Sequence, residues 1–101
     1  MTTKPVYLMP VAWYKKEDYQ RLKTIFDDGD QLHDRFEEWL HAAEQSIKLG
    51  TGKGYTVVQV NIDPDTFPEW CRSRGLNINS EARTKFINTI AAEQAKKAMN
   101  A

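Results

Sequence analysis

Tyr55-Thr56-Val57-Val58-Gln59-Val60-Asn61-Ile62 is the stretch that decides the fold. Val58, Val60 and Ile62 alternate with Gln59 and Asn61, the two-residue period of a half-buried strand, and Asp63-Pro64 ends it. On both sides the apolar residues recur at helical spacing instead. Upstream, Phe36, Leu40, Ala43 and Ile47 form one helical stripe with Trp39 beside it. Asp34-Arg35-Phe36-Glu37 has the form of a capping box, and Gly50 is placed as the C-terminal stop. Thr51-Gly52-Lys53-Gly54 then links this helix to the strand.

Further upstream, Tyr19, Leu22, Ile25 and Phe26 predict a helix over Lys16 to Phe26, which Asp27-Asp28-Gly29-Asp30 breaks. A first extended run, Val6 to Met9, is interrupted by Pro10 and resumes over Val11-Ala12-Trp13. Proline has no N–H for a sheet ladder, so this strand is expected at an edge or with a bulge. Downstream, a short helix is expected from Thr66 to Arg74, capped by Asp63 or Asp65, with Pro68 tolerated in its first turn. Arg74-Gly75-Leu76 reads as a left-handed cap. The last helix runs from Glu81 to about Met99, capped by Asn79 or Ser80 and fraying beyond Ala95, with Ala82, Phe86, Ile87, Ile90 and Ala91 on its buried face.

The expectation is one α+β domain over residues 1–101, mostly helical, with two short strands in the order β-α-α-β-α-α. A first unit spans about 6–50 and a second about 55–99. The units echo each other: Asp34-Arg35-Phe36-Glu37-Glu38-Trp39 and Asp65-Thr66-Phe67-Pro68-Glu69-Trp70 share Asp-x-Phe-x-Glu-Trp, and Ala42-Ala43-Glu44-Gln45 reappears as Ala91-Ala92-Glu93-Gln94. Internal duplication and the shared needs of helix starts both account for this pattern.

Composition narrows the classes of function. With 11% aromatic residues, the chain has the means to build a core, which argues against disorder. Fourteen basic and fourteen acidic residues give no net charge, so a partner held chiefly through phosphates is disfavoured. Zero net charge also eases self-association. Cys71 is the only cysteine, which excludes an internal disulfide and a cysteine zinc site. Met1-Thr2-Thr3-Lys4-Pro5 does not begin a signal peptide, and no run approaches a membrane span, so a cytosolic setting is expected.

The motifs that suggest chemistry each miss a requirement. Asp27-Asp28-Gly29-Asp30, with His33 and Asp34 behind it, lacks the ligand order of a calcium loop and reads as a solvated turn. Gly50-Thr51-Gly52-Lys53-Gly54 follows a helix and opens a strand, the reverse of a phosphate-binding loop. His33 and His41 lack the spacing of a zinc motif, and neither has a nucleophile with an orienting carboxylate. Cys71, beside Trp70, reads as a small core residue. No catalytic residue, metal ligand or cofactor is assigned.

Two surfaces remain. Trp13, Tyr14, Lys15 and Lys16 join two aromatic anchors to two lysines and form the candidate partner-binding or dimer surface. Arg72, Arg74, Arg83 and Lys85 make the last two helices locally basic, the alternative being a nucleic-acid contact through a helix-turn-helix.

Pro10-Val11-Ala12-Trp13-Tyr14, Phe36-Glu37-Glu38-Trp39-Leu40 and Phe67-Pro68-Glu69-Trp70-Cys71-Arg72-Ser73-Arg74-Gly75-Leu76 resemble a family of short uncharacterised bacterial proteins, over about Val6 to Phe86. The resemblance implies a bacterial cytosolic setting and carries over no functional residue. The leading expectation is a non-enzymatic interaction or regulatory module that forms a homo-oligomer or binds another protein, without membrane contact. Nucleic-acid binding is the first alternative. A small enzyme or ligand-binding protein, whose site forms where Tyr7, Trp13, His33 or Cys71 converge, is the second.

Overall fold

The computed structural model describes residues 7–99. Strand β1 covers Leu8–Trp13, helix α1 Lys16–Ile25, helix α2 Phe36–Gly52, strand β2 Thr56–Asn61, helix α3 Phe67–Ser73 and helix α4 Ser80–Met99, with one 3-10 turn at Gly29–Gln31 between α1 and α2. Val6, where the first run was expected to begin, lies outside the described residues. The α+β order expected from the periodicity is the observed one.

β1 and β2 pair in parallel, from Leu8 opposite Thr56 to Trp13 opposite Asn61, so the two units share one two-stranded sheet. Pro10 sits within β1 without a break, because each strand of this sheet is an edge strand. Side chains alternate between the sheet's faces. One face carries Met9 and Val57, which close on Gly50 of α2. There a Cβ would run into the Met9 side chain, which is why Gly50 is buried inside the helix and does not end it. The stop falls at Gly52, and Gly54 takes the left-handed conformation, with φ 92°.

The other face carries Ala12, Val58, Val60 and then Ile62, which join Ala82, Ile87 and Ile90 of α4 in the core. At the C-terminal ends of the strands, Tyr19, Leu22, Phe67 and Cys71 are fully enclosed. Nine of the eleven aromatic side chains form one chain of contacts there. Trp39 touches Trp13, Tyr14, Tyr19 and Phe36, Tyr14 leads on to Phe26, and Phe26 leads through Phe67 to Trp70 and Phe86. The two Phe-x-Glu-Trp phrases each open a helix, with Phe36 set 5.5 Å from Trp39 and Phe67 set 6.2 Å from Trp70.

Several expected caps move. Arg35, not Asp34, precedes α2, and its N–H donates to the Glu38 carboxylate, so the box closes one residue later. Asp63 does not cap α3; its carboxylate accepts from the Asp65 N–H and shapes the turn before the helix. Asn79 caps α4, accepting from the Ala82 N–H at 3.1 Å. Gly75 is left-handed, with φ 67°, and Leu76 N–H folds back to the Cys71 carbonyl at 2.9 Å, as the sequence predicted. α4 continues past Ala95 to Met99.

Candidate functional site

The acidic loop after α1 is the first place where the structure departs from the sequence reading. Asp27-Asp28-Gly29-Asp30 was expected as a solvated turn. Instead, Asp27 clamps the segment before α4: its N–H donates to the Ile78 carbonyl, and its carboxylate accepts from the Ile78 N–H. Asp28 receives both guanidinium nitrogens of Arg83, at 2.8 and 3.0 Å. Arg83 also lies 4.3 Å over the Phe26 ring. The Arg83 hydrogen bonds hold the Asp28 carboxyl below its ordinary 3.8, against the opposing cost of burial. Gly29 is needed at the crossing, because a Cβ there would strike the Lys23 carbonyl. This loop is a structural joint between α1 and α4.

The same joint removes one of the candidate nucleic-acid contacts. Arg83 is only 9% exposed and points into the core. Arg72 pairs with Glu69, Lys85 pairs with Glu81, and Arg74 stacks on Trp70 at 4.2 Å. Each of the four cations therefore has an acidic or aromatic neighbour within the chain.

The expected partner surface is divided by the packing. Tyr14 is 5% exposed, inside the aromatic chain, and burial raises its hydroxyl above the usual tyrosine range. Trp13 is half-buried with its ring 5.1 Å from Trp39. Lys15 and Lys16 face solvent, and Lys16 pairs with Glu37 at 3.2 Å.

The residues weighed for a hidden catalytic site fall in separate regions. Cys71 is fully enclosed, and burial pushes its thiol up, away from the reactive thiolate form. His33 and His41 line one open groove of about 540 Å3 with Arg35, Glu37 and Glu38. Glu38 is engaged by the Arg35 N–H and Glu37 by Lys16. Among the described residues, no three His, Cys, Asp or Glu gather closely enough to hold a metal ion. Likewise, no described helix is long and apolar enough to cross a membrane.

The other end of the sheet carries a surface that the sequence reading missed. Tyr7, Leu8, Leu49 and Tyr55 are the large apolar side chains left exposed among the described residues, at 60%, 37%, 67% and 43%. All four lie at the N-terminal ends of the strands, with Leu8 on the opposite sheet face from Met9 and Val57. Leu8 opens β1 opposite Thr56, Tyr7 and Tyr55 precede the two strands, and Leu49 lies in the last turns of α2, which the Tyr55 N–H to Gly50 carbonyl bond ties to the start of β2. The rings of Tyr7 and Tyr55 meet edge to face at 6.3 Å. Beside them, Met9, Ser46, Leu49, Gly50, Lys53 and Tyr55 line a second groove of about 430 Å3. Leu49 could have been found from the sequence, since it falls outside the Leu40, Ala43, Ile47 stripe. Tyr7 and Tyr55 gave no such signal, because strand ends look alike until something covers them. No family model, curated protein or solved structure matches this chain.

Proposed function

We propose that this chain is a small non-enzymatic protein-interaction module of the cytosol, that it works as a homodimer, and that it receives a protein partner at the Tyr7, Leu8, Leu49 and Tyr55 end. One observation carries the reading. Three of the four exposed large apolar side chains meet at this groove, Leu49 and Tyr55 in its lining and Tyr7 against the Tyr55 ring, and such clusters mark contact surfaces more than isolated exposed residues do. Two tyrosines and a leucine supply rigid anchors of the kind that dominate binding energy. Lys53 in the groove wall and the exposed Lys48 of α2 favour a partner segment that combines apolar and acidic residues. A single enclosed thiol suits a reducing compartment.

The test is a photo-cross-linking residue at Leu49 in living cells, with the same residue at the exposed Gln94 as control. The expected result is a discrete heavier species from position 49 that Tyr55→Asp abolishes. Equal labelling from both positions, or none from position 49, refutes the surface.

A further inference from the structure

The two edges of the sheet are not equivalent. The Thr56 N–H donates to the Tyr7 carbonyl at 2.8 Å, and the Ile62 N–H to the Trp13 carbonyl at 2.9 Å. With Leu8 opposite Thr56 and Trp13 opposite Asn61, these bonds turn the odd-numbered residues of β1 and the even-numbered residues of β2 toward each other. The outward backbone groups are therefore those of Leu8, Pro10 and Ala12 on β1, and of Val57, Gln59 and Asn61 on β2. Pro10 falls on an outward position, so the free edge of β1 lacks a donor at its centre, a common protection against further pairing. The free edge of β2 has every donor and acceptor. It carries no proline, no charge and no bulge from Thr56 to Asn61, and no described residue bonds the outward groups of Val57, Gln59 or Asn61. Gln59 and Asn61 are exposed, and among the described residues no further strand pairs with this edge.

We propose that β2 pairs antiparallel with β2 of a second copy about a two-fold axis at Gln59, which joins the two sheets into one of four strands. This inference rests on the homodimer reading above and names its interface. The sequence around the axis is self-complementary: Val58-Gln59-Val60 reads the same in both directions, so Gln59 faces the partner's Gln59 and Val58 faces the partner's Val60. Val57 then faces the partner's Asn61. The three outward residues of each copy form hydrogen-bonded pairs, giving about six bonds across the seam. β-branched valines opposite one another on the apolar face add to the pairing, and Val58, half-buried in the single chain, gains cover.

Charge fits the same register. Lys53 lies before β2 and the Asp63-Pro64-Asp65 turn follows it, so antiparallel pairing points the lysine end of each copy's strand toward the acidic turn of the other, where Asp65 also pairs with Arg21. A heterologous peptide would need to reproduce this pattern, whereas a second copy carries it by symmetry. The arrangement leaves the two Tyr7, Leu8, Leu49 and Tyr55 surfaces at opposite ends of the dimer, with the Tyr55 positions about 26 Å apart along the strands.

Light scattering after size exclusion, amide hydrogen exchange and engineered cross-linking test the proposal together. The wild type is expected to be dimeric, with the amides of Val57, Gln59 and Asn61 slowing as concentration rises. Gln59→Cys in a Cys71→Ser background is expected to give a covalent dimer on mild oxidation, while Gln94→Cys gives none. Gln59→Lys, which sets two like charges on the axis without touching the ladder to β1, is expected to weaken the dimer by roughly tenfold or more. Gln59→Pro removes the central donor and should do the same, with circular dichroism reporting its fold. A wild type that stays monomeric at millimolar concentration overturns the homodimer reading itself. A dimer that resists Gln59→Lys, leaves the three amides unprotected and yields no Gln59→Cys cross-link overturns this interface alone.

Discussion

The two ends of the sheet hold the same kinds of residue in opposite circumstances. At the C-terminal ends of the strands, Tyr14 and Tyr19 lie 6.0 Å apart within the nine-membered aromatic chain, at 5% and 0% exposure. At the N-terminal ends, Tyr7 and Tyr55 form a single edge-to-face pair open to water. α1 and α3 close the first end and nothing among the described residues closes the second. Aromatic content therefore says how much apolar surface the chain has, and the placement of the short helices says which part is left for a partner.

The largest expected effect lies at the closed end. Phe67 is fully enclosed and touches Phe26, Trp70 and Phe86. Phe67→Ala should lower unfolding stability by about 4 kcal/mol in urea titration, whereas Tyr55→Ala at the open end should change it by less than about 0.5 kcal/mol. Equal losses from both would erase the contrast between the ends.

Next is the joint that locks α4 to the loop after α1. The Arg83 and Asp28 side chains are 11% and 18% exposed, so removing one partner leaves the other charge stranded. Arg83→Ala or Asp28→Ala should each cost about 3 kcal/mol, and joint replacement by Met and Leu should recover much of it. The pair also sets an acid dependence. Asp28 has a depressed pKa in the fold, so its contribution is complete above the ordinary value of 3.8 and is lost as pH falls through the lower folded value. Asp28→Asn should flatten that part of the acid unfolding curve, and an unchanged curve would show that the pair does not govern it.

A smaller effect belongs to Tyr19, whose hydroxyl donates to the His33 carbonyl at 2.6 Å. Tyr19→Phe should cost about 1 kcal/mol. Burial raises this hydroxyl from 10.0 to about 12, so the protonated form is the one the fold keeps. Its contribution is intact below pH 10 and fades as pH rises toward 12, a loss that alkaline melting should show and Tyr19→Phe should remove. Smallest of all, Leu49→Asp at 67% exposure should leave the melting temperature within error while abolishing cross-linking from a photo-reactive residue placed at Lys53 in the same groove. A large drop in melting temperature would mean that Leu49 belongs to the core.

Much of the architecture was legible in the residues. The alternation of Val58, Val60 and Ile62 marked β2, the Phe36, Leu40, Ala43 and Ile47 stripe marked α2, and Gly75 marked the end of α3. The missed points share one cause, which is contact between distant segments. Gly50 looked like a helix stop because its closeness to Met9 and Val57 is a tertiary fact. Asp28 looked solvated because Arg83 lies 55 residues away. Trp13 and Tyr14 looked like surface anchors because Trp39 reaches them only after α2 folds back along the sheet.

By itself, then, the sequence determined the element order, the edge character of β1 through Pro10 and the absence of a cysteine framework, since these follow from local periodicity, missing donors and counting. Only the tertiary structure decided that the strands run parallel, which aromatics are enclosed and which backbone groups of β2 stay free. Register and burial are set by which helix lands on which face, and local composition does not carry that information.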